Sequence, residues 1–161
     1  MVNPGDDQPQ GGRFAGGEHR FPVRVFYEDT DLSGVVYHAN YLRYLERARS
    51  DMLALAGIDQ RAAWEAGEGA WAVADLAIRY RAPARLGDAL LVVSRVRHVR
   101  AAAVAIRQTV SRADQRLIDA DLTVALVSPG GRPRRQPAAW RGIFEALVTQ
   151  GDDDKTMGKQ A

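Results

Sequence analysis

The sequence predicts an α+β fold, an antiparallel sheet of about five strands curled around one long helix. Three observations lead there. The hydrophobic period changes from two to about 3.6 near Tyr41. Four alternating segments separated by turn signals follow the helical stretch. The helix is apolar over much of its circumference, which asks for a sheet that bends around it.

The elements follow in chain order. Residues 1–19, rich in Gly, Asp, Gln and Pro, read as a disordered tail. The stretch "FPVRVFY" alternates, with Val23, Val25 and Tyr27 on one face. From Tyr41, the residues Tyr44, Leu45, Ala48, Met52, Leu55 and Ala56 recur at helical spacing until Gly57 stops the helix. A short second helix is expected over "DQRAAWEAG". Strands are expected over 71–81, 89–99, 102–112 and 116–128, the last with Ile118, Ala120, Leu122, Val124 and Leu126 on one face. "PGGRPRRQP" ends the meander, "AAWRGIFEALV" is amphipathic, and 150–161 reads as a second loose tail. The folded domain is thus expected over 20–149.

Composition narrows the chemistry. The 161-residue chain has a formal net charge of +2 and no cysteine, which removes disulfides, thiolate nucleophiles and Cys-based zinc sites. Residues 21–150 hold 18 Lys/Arg against 14 Asp/Glu, a mildly basic body that suits phosphorylated ligands and does not demand nucleic acid. No apolar run reaches membrane-spanning length and the N-terminus lacks a signal-peptide core, so no membrane span and a cytoplasmic location are expected. His19, His38 and His98 are not spaced as metal ligands, and no metal is expected. G-x-S-x-G, H-E-x-x-H and Walker patterns are absent.

The candidate site is the turn "EDTDLSGVVYHAN". A helix N-terminus offers unpaired N–H groups and the positive end of a dipole, which can hold a developing oxyanion. A nearby carboxylate, Asp31, can attack the acyl carbon or activate water. Gly34 lets the backbone pass close to a ligand. The same residues also make a good turn, and an Asp before a helix also serves as a cap. His38 reads equally as a ligand contact or a structural histidine, and "RVRHVR" (95–100) as a phosphate contact or the wet face of a strand.

"YEDTDLSGVVYHANYLRYLERAR" closely resembles the signature of the 4-hydroxybenzoyl-CoA thioesterase family, in its Tol–Pal-associated acyl-CoA thioesterase branch, and "IRYRAPARLGD" is similar to that branch's second recognisable stretch. The resemblance covers about residues 21–145. It implies the hotdog fold, hydrolysis of acyl-CoA thioesters, no metal or bound cofactor, with CoA entering only as part of the substrate, and a homodimer or homotetramer with sites between subunits. It implies that Asp31 is the essential aspartate, that the backbone N–H of His38 polarises the carbonyl, and that Tyr37 and His38 line the acyl pocket. The basic cluster that holds CoA phosphates in the hydroxybenzoyl branch is matched here only by Arg100, beside Ala101, Ala102 and Ala103, so an acyl-carrier-protein thioester stays open as substrate. Two other classes remain: a hotdog dehydratase or hydratase pairing His38 with Glu46, and a non-catalytic partner of envelope or lipid-synthesis proteins.

Overall fold

The structure is a computed structural model that describes residue 3 and residues 5–157, with side chains described through 148. Nine elements follow in order: β1 (Arg13–Ala15), β2 (Glu18–Arg24), α1 (Asn40–Leu55), α2 (Gln60–Glu65), β3 (Ala70–Tyr80), β4 (Ala89–Val99), β5 (Ala103–Arg112), β6 (Gln115–Val127) and α3 (Ala138–Met157). The strands form one six-stranded sheet in the order β1-β2-β4-β5-β6-β3, with every neighbour antiparallel. The sheet curls around α1 and is a hotdog sheet.

Alternation places the core. Leu90, Val92 and Val96 on β4, Val104, Ile106 and Val110 on β5, and Ile118, Ala120, Leu122, Val124 and Leu126 on β6 are buried on the concave face. Against them α1 turns a stripe of Tyr41, Tyr44, Leu45, Ala48, Arg49, Met52 and Leu53, spaced as one helical face. Leu55, expected on that stripe, is exposed, and Leu53 packs in its place. Ile58 N–H bonds the Leu53 carbonyl across Gly57, whose φ of +88° closes the helix. The N-terminal half of α1 packs with β2, β4 and β6. Its C-terminal half packs with Phe144 and Leu147 of α3.

Both expected tails are corrected. A strand lies inside the stretch 1–19, because His19 is fully buried and its Nε2 lies 2.6 Å from Asp51 Oδ2 on α1. The Gly12 N–H donates to the same carboxylate oxygen at 3.0 Å. A Cβ at Gly12 would come within 2.6 Å of the Arg20 carbonyl, so only glycine allows this approach. The first strand is accordingly β1, which makes six strands rather than five. At the other end α3 continues to Met157, past residue 150, and the remainder of the expected tail, 158–161, lies outside the described residues.

The two sheet edges differ. β1 is three residues long. β3 is an eleven-residue edge with Val73 48% exposed, and its register shifts between Val73 and Asp75. Among the described residues no strand lies beside its outer backbone groups.

Candidate active site

The chain between β2 and α1 is a tight, internally bonded loop. Tyr27–Asp29 form one 3-10 turn, and the Asp29 carboxylate accepts from the Phe26 N–H at 2.8 Å. Asp31 and Val35 then close a hairpin-like turn: the Asp31 N–H donates to the Val35 carbonyl at 2.9 Å, and the Gly34 N–H to the Asp31 carbonyl at 3.0 Å. Gly34 sits at φ +79°, the left-handed conformation that glycine adopts without strain. The Val36 N–H reaches the Ala84 carbonyl at 2.9 Å and Val35 bridges Arg85, which ties the loop to the segment between β3 and β4.

Asp31 does not cap the helix. Its Oδ1 accepts from the Ser33 N–H at 2.8 Å and the Ser33 hydroxyl at 2.5 Å, while α1 begins only at Asn40. The Ser33 hydroxyl bond, then the Ser33 backbone bond, hold the Asp31 carboxyl below its ordinary value, with His38 nearby adding to the effect. Asp31 is therefore an exposed carboxylate that stays ionised.

The start of α1 is left open. Its N-cap, Ala39, has no side-chain acceptor to offer, and no acid occupies the first turn. Among the described residues neither the His38 nor the Ala39 N–H has a hydrogen-bond partner. The Tyr37 N–H is used by the Asp29 carbonyl at 2.9 Å. Two adjacent free donors at a helix N-terminus suit an oxyanion.

Four aromatic rings surround these donors. The Tyr37 and His38 rings meet at 4.5 Å between centroids, and Tyr80 lies 6.3 Å from His38 and 5.8 Å from Tyr41. The Tyr80 hydroxyl donates to the His38 carbonyl at 3.0 Å, and the Tyr41 hydroxyl accepts from the Ala84 N–H at 3.0 Å. Burial raises the pKa of both phenols, so both stay neutral. His38, Tyr41, Tyr80, Val36 and Arg81 line one open groove. Local sequence pattern does not single out Tyr80; its position in "IRYRAP", at the end of a strand, is the available signal.

Asp31, Gly34, Tyr37 and His38 thus share one loop. Arg100 does not join them. It lies in the β4–β5 turn, its N–H bonded to the Ala103 carbonyl, while the Asp31 loop attaches at the opposite end of β4 through Val25 and Asp88. Eleven residues of extended strand separate the two, roughly 35 Å. Glu46 is also apart from His38. It pairs with Arg49, which bonds Gln108 at 2.8 Å, and it borders a separate, small apolar cavity of about 50 Å³ between α1, β3 and α3.

A family model described as "Thioesterase superfamily" matches residues 33–118. The chain belongs to the thioesterase superfamily. It is a thioester hydrolase. A Haemophilus influenzae protein named acyl-CoA thioesterase YbgC is 43% identical over 128 residues, covering 79% of this chain and 94% of that protein. A crystal structure of a probable thioesterase from Bartonella henselae superimposes with a TM-score of 0.71 at 32% identity, over 74% of this chain and 99% of that one. A 4-hydroxybenzoyl CoA thioesterase complexed with 4-hydroxybenzoyl CoA superimposes with a TM-score of 0.72, over 79% of this chain and 98% of that one, and at 20% identity shares the fold alone. The dehydratase and non-catalytic classes fall away with this membership.

Proposed function

We propose that the protein hydrolyses acyl-CoA thioesters to a free acid and CoA, with Asp31 attacking the thioester carbon or activating water, and the His38 N–H receiving the oxyanion. The observation that carries this reading is the unpaired His38 N–H at the uncapped start of α1, on the same loop as an ionised Asp31. The carbonyl oxygen gains negative charge as the tetrahedral intermediate forms, and a fixed N–H needs no reorganisation to receive it. Tyr80 holds the His38 carbonyl and so fixes the orientation of the adjoining peptide with the Ala39 N–H. Tyr37 and the groove beside His38 take the acyl group next to the thioester. Gly34 keeps the carboxylate turn compact. No bound cofactor or metal is required, because the carboxylate supplies the base or nucleophile and the helix start supplies the electrophilic help.

The groove is open, and β3 beside it is an unpaired edge. Pairing of β3 with the β3 of a second copy about a twofold axis would satisfy that edge and close the site. The proposed working unit is therefore a homodimer, or a dimer of dimers, acting in the cytoplasm.

The test is free-thiol release from a panel of aliphatic and aromatic acyl-CoA substrates by wild type and Asp31→Asn. The expected result is hydrolysis by wild type and a fall in kcat of at least ~100-fold in the variant, the scale of losing an acid–base group. Near-normal turnover by the variant defeats the assignment of Asp31. Single-turnover hydrolysis in heavy-oxygen water, with mass analysis of Asp31, separates a covalent anhydride from base-activated water.

A further inference from the structure

On the outer face of the sheet one carboxylate collects three guanidinium groups. Asp119 is buried on β6, and its Oδ2 accepts from Arg81 Nε while its Oδ1 accepts from Arg107 Nη2 at 3.1 Å and Arg116 Nη1 at 2.9 Å. Arg79 stands opposite Asp119 in the β3–β6 register, is exposed, and has no partner among the described residues. Asp121 pairs with Arg107 at 2.8 Å from an exposed position. The local charge is positive even after every pair is counted.

We propose that Arg79, Arg81, Arg107 and Arg116, gathered by Asp119, form an anion site for the phosphate groups of CoA. Continuity with the groove places it. Arg81 lines the groove that holds His38, and it also lines the next depression, with Arg79, Arg107, Asp119 and Asp121. A thioester seated at His38 has a pantetheine arm leading away from it, and the phosphates at the end of that arm need cations a chain-length from the reacting carbon. The donors are available. Arg81 uses Nε on Asp119, which leaves both its terminal nitrogens unbonded among the described residues, and the whole Arg79 guanidinium is unbonded. The buried carboxylate holds the forks in place, so less side-chain freedom is lost when a phosphate arrives. Arg107 can exchange exposed Asp121 for a phosphate oxygen. Arg100, at the far end of β4, has none of these advantages within the chain.

This proposal rests on the acyl-CoA reading, and its test separates the two. Binding of adenosine 3′,5′-bisphosphate is measured by titration calorimetry on wild type, Arg79→Gln and Arg107→Gln. In parallel, KM and kcat are measured for an acyl-CoA, for the same acyl group on an acyl carrier protein, and for the same acyl group on N-acetylcysteamine, which carries no phosphate. Arg79→Gln touches no partner of Asp119, so it tests the site even if Arg107→Gln fails to fold. The expected result is weaker nucleotide binding by about ten-fold and a matching rise in KM for the CoA ester alone, the scale of removing one charge-assisted hydrogen bond. Equal nucleotide affinity in wild type and both variants overturns the site, as does an equal rise in KM for the CoA and N-acetylcysteamine esters. Absence of nucleotide binding to wild type, with Arg79→Gln impairing only a carrier-protein thioester, overturns it in favour of an acidic protein surface. A wild type that binds the nucleotide through these arginines but hydrolyses none of these esters sustains the anion site and removes the acyl-CoA hydrolase reading.

Discussion

A carboxylate on an exposed turn serves as base or nucleophile only if it stays ionised when a substrate covers it. Ser33 provides for that, because both its N–H and its hydroxyl bind Asp31 Oδ1 and hold the carboxyl below its ordinary 3.8. In the proposed mechanism the reactive form is the anion, so activity should be lost as pH falls through the depressed pKa. Ser33→Ala removes the larger of the two bonds, raises that pKa, and is expected to move the acid limb of the pH profile of kcat/KM to higher pH with the plateau retained; an unmoved limb denies Ser33 this role. Tyr80 acts on the other half of the site. Tyr80→Phe frees the His38 carbonyl and is expected to lower kcat by up to about ten-fold with KM little changed, in line with one hydrogen bond of about 1 kcal/mol; steady-state kinetics on the best substrate decide it. The turn that carries Asp31 is legible in the sequence because Asp31, Ser33 and Gly34 make their bonds within one turn. Tyr80 is not, since its bond to His38 spans 42 residues. Sequence pattern suggests Arg100 as a phosphate contact, and within one chain the direction of β4 sets it far from the Asp31 loop.

At the level of elements, the turn before α1 depends on one backbone conformation. Gly34 is at φ +79° and an added Cβ there would meet nothing within 4 Å, so backbone strain alone governs substitution. Gly34→Asn is expected to keep most turnover, because Asn tolerates the left-handed region, whereas Gly34→Val should lose roughly 1–2 kcal/mol of local stability and much of its rate. Thermal melts and kcat for the pair check this, and equal behaviour of the two variants refutes it. The strands of the meander could be placed from alternation because each has one wet and one dry face, and β4 matches its expected span of 89–99. The strand before α1 lies earlier than its alternation predicts. The sequence alternates over 21–27, but β2 is Glu18–Arg24, and Tyr27 enters a 3-10 turn with 82% of its surface exposed. What fixed β2 was a tertiary pair, His19 with Asp51, which no local pattern announces.

For the whole molecule, the proposed dimer turns on the long β3 edge. Its exposed Val73 and half-covered Trp71 lie beside the apolar cavity between α1 and α3, so the edge offers both backbone groups and apolar surface. Val73→Lys sets a charge on that edge and is expected to shift the protein from dimer to monomer in light scattering, with loss of activity; a wild-type monomer with full activity contradicts the pairing. The N-terminal clasp bears on how shortened versions of this protein should be cut. Composition invites a start at residue 20, just where the glycine-rich stretch ends. Such a cut removes β1 and His19, deprives Asp51 of both its donors, and uncovers Phe21, whose ring lies beside that of His19. A shortened protein begun before Gly11 keeps the clasp, and one begun at Arg20 can be recognised by poor solubility before any assay is run.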